Sequence, residues 1–318
     1  MKRYFGVFFV AFLLSVIFCK ICIPLLRKLK AGQNILVYVK EHKEKNGTPT
    51  MGGLAFITAA IFSAVLFIDV VDRRIIIVMA IGLSYMIIGF FDDFLKKIHK
   101  ENLGLRAWQK LFFQIIVAIF AGLYCHKEGL TLLNIPFINK NIEIGYWILP
   151  ISVFIFLATV NAVNLTDGLD GLAAGVSIPF FLSLGIIICL QKEVSVFAII
   201  CFSLVGALLG YLFFNAPPAS VFMGDTGSLS LGGFAAGIAI FSGNALYVAV
   251  LGAVFAFSVI TVMMQVIYYK VTKGKRIFLM APIHHHFQEK GYSETKISYA
   301  YFVVTLLLGI SCIWGLVG

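Results

Sequence analysis

The chain has 318 residues, of which 60% are hydrophobic and only 13% charged, with a formal net charge of +10. A water-soluble domain is nearer half apolar and a quarter charged, so a soluble globular protein is excluded and a polytopic membrane protein is expected. The six cysteines are scattered, mostly inside apolar runs, with neither metal-ligand nor disulfide spacing, and are expected to pack helices.

A membrane helix needs roughly 20 apolar residues to cross about 30 Å of hydrocarbon. The first such run, at about 4–26, follows Lys2 and Arg3 but has no small-residue cleavage site, so it reads as a helix and not as a removable signal. Further runs fall at about 51–69, 75–91, 109–125, 146–163, 172–190, 194–213, 228–242, 245–268 and 298–317, the eighth being short. The expectation is an all-α polytopic membrane protein of about ten transmembrane helices, a single domain over 1–318 without internal repeats. The connection at about 126–145 reads as a small hairpin or interfacial segment.

Basic residues orient the helices. The connections after the first, third and ninth helices hold 17 of the 25 lysines and arginines, so they are expected on the cytoplasmic side, with both termini outside. That parity also brings the connections after the fifth and seventh helices to the same face. All five carry unusual polar strings, whereas the opposite connections are chemically plain. A channel or transporter would instead set its polar groups near the bilayer midplane. The pattern points to a site at one membrane boundary.

The central string is Asn161-Ala-Val-Asn-Leu-Thr-Asp-Gly-Leu-Asp-Gly171. If it is helical, Asp167 and Asp170 share one face, with Asn164 a turn back; the alternative is a short polar loop between two helices. Gly168 and Gly171 leave room for a close backbone approach. Asp92 and Asp93 point about 100° apart on a helix, so one can face a cavity while the other braces a neighbour, unless both merely end a solvated helix. In Asn215 to Ser228, two prolines stop one helix, and Gly224 and Gly227 flank Asp225 just before the next. Such a turn suits phosphate and Mg²⁺, although Asp225 alternatively only caps the eighth helix. His284, His285 and His286 are consecutive and cannot all turn to one zinc ion, so hydrogen bonding and positive charge toward phosphates is the sharper reading. Thr48 to Gly53, which includes Thr50, is small and polar, and Lys45, Lys96, Lys110 and His284 are candidate anion contacts. Carboxylates beside basic groups suit Mg²⁺ and a phosphorylated substrate. No serine or cysteine sits in a nucleophile elbow.

Thr48-Pro-Thr-Met-Gly-Gly53, Asp92-Asp93-Phe94, Asn161 to Ala173, Asn215 to Leu229 and Ala281-Pro-Ile-His-His-His-Phe287 together resemble the phospho-N-acetylmuramoyl-pentapeptide transferase family, within the polyprenyl-phosphate hexosamine-1-phosphate transferases. The resemblance covers essentially the whole chain in order. It implies a Mg²⁺-dependent, dimeric enzyme of the bacterial inner membrane with no nucleic-acid partner. Such an enzyme moves phospho-MurNAc-pentapeptide from UDP-MurNAc-pentapeptide to undecaprenyl phosphate, giving lipid I and UMP. By resemblance, Asp225 is the metal ligand, with Asp167 a further candidate, and Asp92 deprotonates or positions the lipid phosphate with Asp93 beside it. Asn164, Asp167, Asp170 and Asn215 organise the nucleotide and metal region, and the three histidines support phosphates or sugar. A sister transferase using UDP-GlcNAc shares these acids, and a cation-coupled transporter or flippase is the competing reading from another class.

Overall fold

The computed structural model describes residues 2–29, 47–68, 72–99, 104–138, 140–191 and 196–317. Lys45 and most of the basic connection after the first helix lie outside them. The order is α1 (Lys2–Lys28), α2 (Gly53–Leu66), α3 (Arg73–His99), α4 (Ala107–Lys127), β1 (Leu132–Ile135), β2 (Lys140–Glu143), α5 (Ile148–Thr166), α6 (Leu172–Gln191), α7 (Val196–Asn215), α8 (Gly224–Phe241), α9 (Ala245–Leu251), α10 (Ala253–Val271), α11 (Ile283–Glu289) and α12 (Glu294–Val317). The expected hairpin is present, with β1 and β2 antiparallel and Leu133 opposite Ile142. The described cysteines are unbridged and mostly buried, as their spacing suggested.

Eight of these helices are long and apolar enough to cross a membrane, against the ten expected. The second run forms only the 14-residue α2, about 21 Å long, which is too short to span alone. The eighth forms α8, which opens with Gly-Asp-Thr-Gly-Ser and is buried almost throughout, so its sequence answers to protein neighbours and not to lipid. The ninth is split at Gly252, a poor helix former, into α9 and α10.

The innermost helices are α6, α7 and α8, which are mixed apolar and small on every side. The α8 helix packs between α3 and α5. It can do so because Gly232 meets the backbone of Val160 and Gly233 meets the ring of Tyr85, where any Cβ would collide. Close approach through small residues is the usual way helices associate where lipid removes the hydrophobic drive between them. The outer helices present apolar faces outward, as with Phe5, Phe9, Leu13 and Ile17 along α1.

The C-terminal ends of α3, α5 and α7 and the N-terminal ends of α4, α6, α8 and α12 gather at one face. Opposite them lie the start of α1, where Arg3 Nε donates to the Phe67 carbonyl, and the end of α12, where Leu316 lines a cavity with Arg74. Both ends of the described chain therefore lie on the face away from the acidic strings.

Candidate active site

Helix α3 runs two turns past the expected end, and within that extension Asp92 and Lys96 pair at i,i+4 spacing, with Lys96 Nζ 2.6 Å from Asp92 Oδ2. The other Asp92 oxygen accepts the Leu105 N–H at 2.8 Å. Asp93, one residue on, turns the other way. Its Oδ2 accepts the Thr226 N–H at 2.9 Å and the Thr226 hydroxyl at 2.7 Å, and its Oδ1 accepts the Asp225 N–H at 3.2 Å. Asp92 thus lines the cleft while Asp93 braces α8.

Asp225 was expected just before the eighth helix, but the helix starts earlier, at Gly224, and places it in the first turn. Asp93 supplies from α3 the cap that no side chain at the N-cap of α8 provides, so Asp225 itself is left unused as a cap. Gly224 has φ of +71°, and a Cβ there would strike the Asp93 carboxylate. Backbone pairing of Gly52 with Phe222 (2.9 Å) and Gly53 with Met223 (3.1 Å) brings buried Thr50 alongside.

The Asp225 carboxylate is held from both sides. Its Oδ1 accepts from Asn164 Nδ2 at 2.8 Å, and its Oδ2 lies 2.6 Å from Lys110 Nζ and 3.1 Å from Lys96 Nζ. Asn164 also donates to Ser228 Oγ at 2.9 Å. Asp92, Asp93 and Asp225 each offer an oxygen within 4.8 Å of the others, an arrangement that can hold a metal ion. An all-oxygen donor set suits a hard cation, and three carboxylates outweigh two lysines. Asp92, Lys96, Lys110, Asn164 and Asp225 line a cleft of about 770 Å³ with Arg106 at its edge.

The central string does not continue as a helix. Helix α5 stops at Thr166 and residues 167–171 form a turn, with Gly171 at φ +72°, so of the two readings the loop is the one found, and Asp167 and Asp170 do not share a helical face. Asn161 and Asn164 remain on α5. Half-buried Asp167 stands outside the three-acid group; loss of solvent and the nearby charges of Asp225, Asp93 and Asp170 hold its pKa well above the ordinary carboxylate value. Asp170 Oδ2 accepts the Ala219 N–H at 2.9 Å, and Asn215 bridges Gly171 N–H (3.2 Å) to the Val221 carbonyl (2.9 Å). These two residues tie the turn at 167–171 to the loop that precedes Asp225.

The histidines lie on short helix α11, and each does something different. His284 is fully buried against Gly168, with neither ring nitrogen hydrogen-bonded. Burial, with His285 beside it, pushes its pKa down to about 3, so it offers a neutral ring and not the positive charge expected of it. His285 Nδ1 lies 3.1 Å from Gln288 Oε1. His286 Nδ1 accepts the Leu279 N–H at 3.1 Å, fixing the loop before α11.

Three contributors escaped sequence reasoning. Thr226 and Ser228 are ordinary small residues until the fold sets them against Asp93 and Asn164. Glu294, at the start of α12, accepts from the Asp170 N–H (3.1 Å) and from Gln288 Nε2 (3.2 Å), joining the central turn to α11. Its one sequence signal was an acid in the first turn of a helix beside the histidine string.

A family profile described as Glycosyl transferase family 4 matches residues 75–243, from α3 to the end of α8. One described as Phospho-N-acetylmuramoyl-pentapeptide-transferase signature 1 matches residues 45–57. The chain is 44% identical over 299 residues to a protein of Clostridium perfringens strain SM101 named phospho-N-acetylmuramoyl-pentapeptide-transferase, covering 94% of this chain and 92% of that one. Proteins of the same name from Listeria monocytogenes (42% over 306 residues, 94% of each chain) and Clostridium botulinum (42% over 311 residues, 96% and 93%) are similar to it over the same extent.

Proposed function

The chain belongs to the phospho-N-acetylmuramoyl-pentapeptide transferase family, and from that premise we propose how its own residues carry out the transfer. The substrates are UDP-MurNAc-pentapeptide and undecaprenyl phosphate, and the products are lipid I and UMP, for peptidoglycan synthesis. The acidic face is the cytoplasmic one, in the bacterial inner membrane, with both termini on the other side and the enzyme working as a homodimer. Carrying this reading is the grip on Asp225, by Asn164 on one oxygen and by Lys96 and Lys110 on the other, at the wall of a cleft beside Asp92.

Asp225, with Asp92 and Asp93 near it, would hold Mg²⁺, which offsets charge on the diphosphate when bound. Lys96 and Lys110 now neutralise the acids; with a diphosphate in the cleft they turn to its oxygens, since ammonium groups on flexible stems are ready phosphate partners. Asp92, fixed by Lys96 and the Leu105 N–H, positions the lipid phosphate and takes its proton where one is carried. An oxygen of that phosphate attacks the β-phosphorus of the nucleotide sugar in line. The new P–O bond forms as the bond from the β-phosphorus to the oxygen bridging it to the α-phosphorus breaks, and UMP leaves with that electron pair. Asp93, committed to the end of α8, keeps Asp225 in place.

The test follows UMP release by purified protein in detergent with both substrates and Mg²⁺. Turnover with the muramoyl nucleotide, abolished by chelation and by Asp225→Asn, supports the proposal. Turnover with UDP-GlcNAc instead would assign the chain to the sister activity, and trapping of phosphate on a single carboxylate would replace the direct attack by a two-step route.

A further inference from the structure

Beneath the cleft lies a second polar layer. Gln114 of α4 is fully buried, and its Oε1 accepts from Asn161 Nδ2 of α5 at 2.8 Å. Asn161 Nδ2 also donates to the Leu157 carbonyl of its own helix at 2.8 Å, which fixes the amide's orientation. At the same level the hydroxyl of fully buried Tyr85, on α3, donates to the Gln114 backbone carbonyl at 3.0 Å. Three helices are therefore cross-bonded at one depth among otherwise apolar side chains.

Those are the three helices that deliver the cleft residues. Lys110 precedes Gln114 by four residues on α4, and Asn164 follows Asn161 by three on α5, so each lies on the same face about one turn nearer the cleft. Asp92 follows Tyr85 by seven residues on α3, two turns along the same face. Lys110 and Asn164 then meet on opposite oxygens of Asp225. Helix α4 makes little other contact with α8, so the register of Lys110 against Asp225 depends on how α4 is seated on α5 and α3.

We propose that Gln114, Asn161 and Tyr85 are positioning residues: the Gln114–Asn161 bond and the Tyr85 hydroxyl lock α3, α4 and α5 in the register that brings Asp92, Lys110 and Asn164 to Asp225. The inference rests on the phosphate-transfer reading of that site. A buried amide contact suits the task because sliding either helix by one residue breaks the Asn161–Gln114 bond in a dry interior where Gln114 Nε2 already has no partner, so a shifted register adds an unpaired acceptor and donor, which makes the register discrete.

The experiment compares Gln114→Met, Asn161→Leu, the double variant, the exchange Gln114→Asn with Asn161→Gln, and Tyr85→Phe, all in the full chain. Displacement of positioned groups by even about 1 Å costs up to ~100-fold, so each amide variant is expected to lower kcat ~10-fold or more while KM for the nucleotide sugar changes less than ~3-fold. The double variant is expected to be no worse than either single one, because both remove the same bond. The exchange restores the summed side-chain length and is expected to recover most of the activity, and Tyr85→Phe to lower kcat severalfold with little change in melting temperature. Additive losses in the double variant, losses confined to melting temperature, or an exchange as inactive as the single variants would overturn the proposal. If an amide variant fails to fold, the exchange and Tyr85→Phe decide by the same criteria. Absence of turnover in the unaltered protein would count against the transferase reading itself, so the two failures are distinguishable.

Discussion

Asp93 caps a helix that it does not belong to. Its carboxylate accepts both the N–H and the hydroxyl of Thr226, at 2.9 and 2.7 Å, from the first turn of α8. The acid adjoining the cleft is thereby bound to the end of the helix that carries Asp225. A negative charge at a helix N-terminus is favourable, and removal of a capping bond costs about 1 kcal/mol. Thr226→Val, which removes the hydroxyl and keeps the shape, is expected to cost about 1 kcal/mol of stability and to lower kcat ~10-fold by loosening Asp225. Asp93→Asn is expected to be worse on both counts. Thermal unfolding in detergent and UMP release measure the two effects side by side.

Lys110 is the shorter of the two lysine contacts to Asp225, at 2.6 Å. Removing one preorganised charge partner from a phosphoryl-transfer site costs on the order of 100-fold in kcat. Lys110→Met is expected to show that loss and to change binding of the apolar lipid tail little. A KM effect alone, with kcat intact, would mean that Lys110 only recruits substrate.

Asp167 gives a pH signature of definite sign. Its folded pKa is raised, so the folded protein holds that proton more tightly than the unfolded chain, and stability falls as pH rises from the unfolded value near 4 toward the folded one. Asp167→Asn is expected to raise the melting temperature at neutral pH in the presence of chelator. That gain should shrink as pH is lowered toward about 4 and vanish well below it, where the wild-type acid is protonated in both states. An equal gain at every pH would refute this account.

His284 runs the other way. Held neutral down to about pH 3, it makes the protein less stable as pH falls below the unfolded value of about 6.5, because the unfolded chain then binds the proton the folded one refuses. His284→Gln is expected to flatten the acid side of the stability profile.

Gly168 is where the central turn meets α11. A Cβ there would meet the ring nitrogens of both His284 and His285. Gly168→Ala is expected to push α11 away and lower kcat/KM by ~10-fold to ~100-fold, with a smaller effect on melting temperature. Unchanged kinetics would show that α11 tolerates displacement without consequence for the reaction.

Much was legible in the chain itself. Apolar runs of membrane length located nearly every helix, because burial in hydrocarbon constrains composition directly. The acids, amides and histidines stood out because they cluster in the connections of one face, between runs otherwise almost free of polar groups. The division of labour between Asp92 and Asp93 followed from the 100° turn of the helix. Less legible were α2 and α8, whose burial against protein lets them be shorter or more polar than a lipid-facing span, and the break at Gly252.

What the sequence by itself determined was the membrane class, the helix order, the set of residue types for phosphate chemistry and their gathering on one face. Only the tertiary structure decided which of those residues meet. It brought Lys96, Lys110 and Asn164 to the two oxygens of Asp225, committed Asp93 to Thr226, and set Asp170 and Asn215 to bracing loops. The physical reason is that periodicity reports which way a residue faces on its own helix. Contacts across 44 to 133 residues depend on how helices slide and turn against one another, and that is set by close approaches at glycines such as Gly232 and Gly233 and by buried bonds that no local pattern encodes.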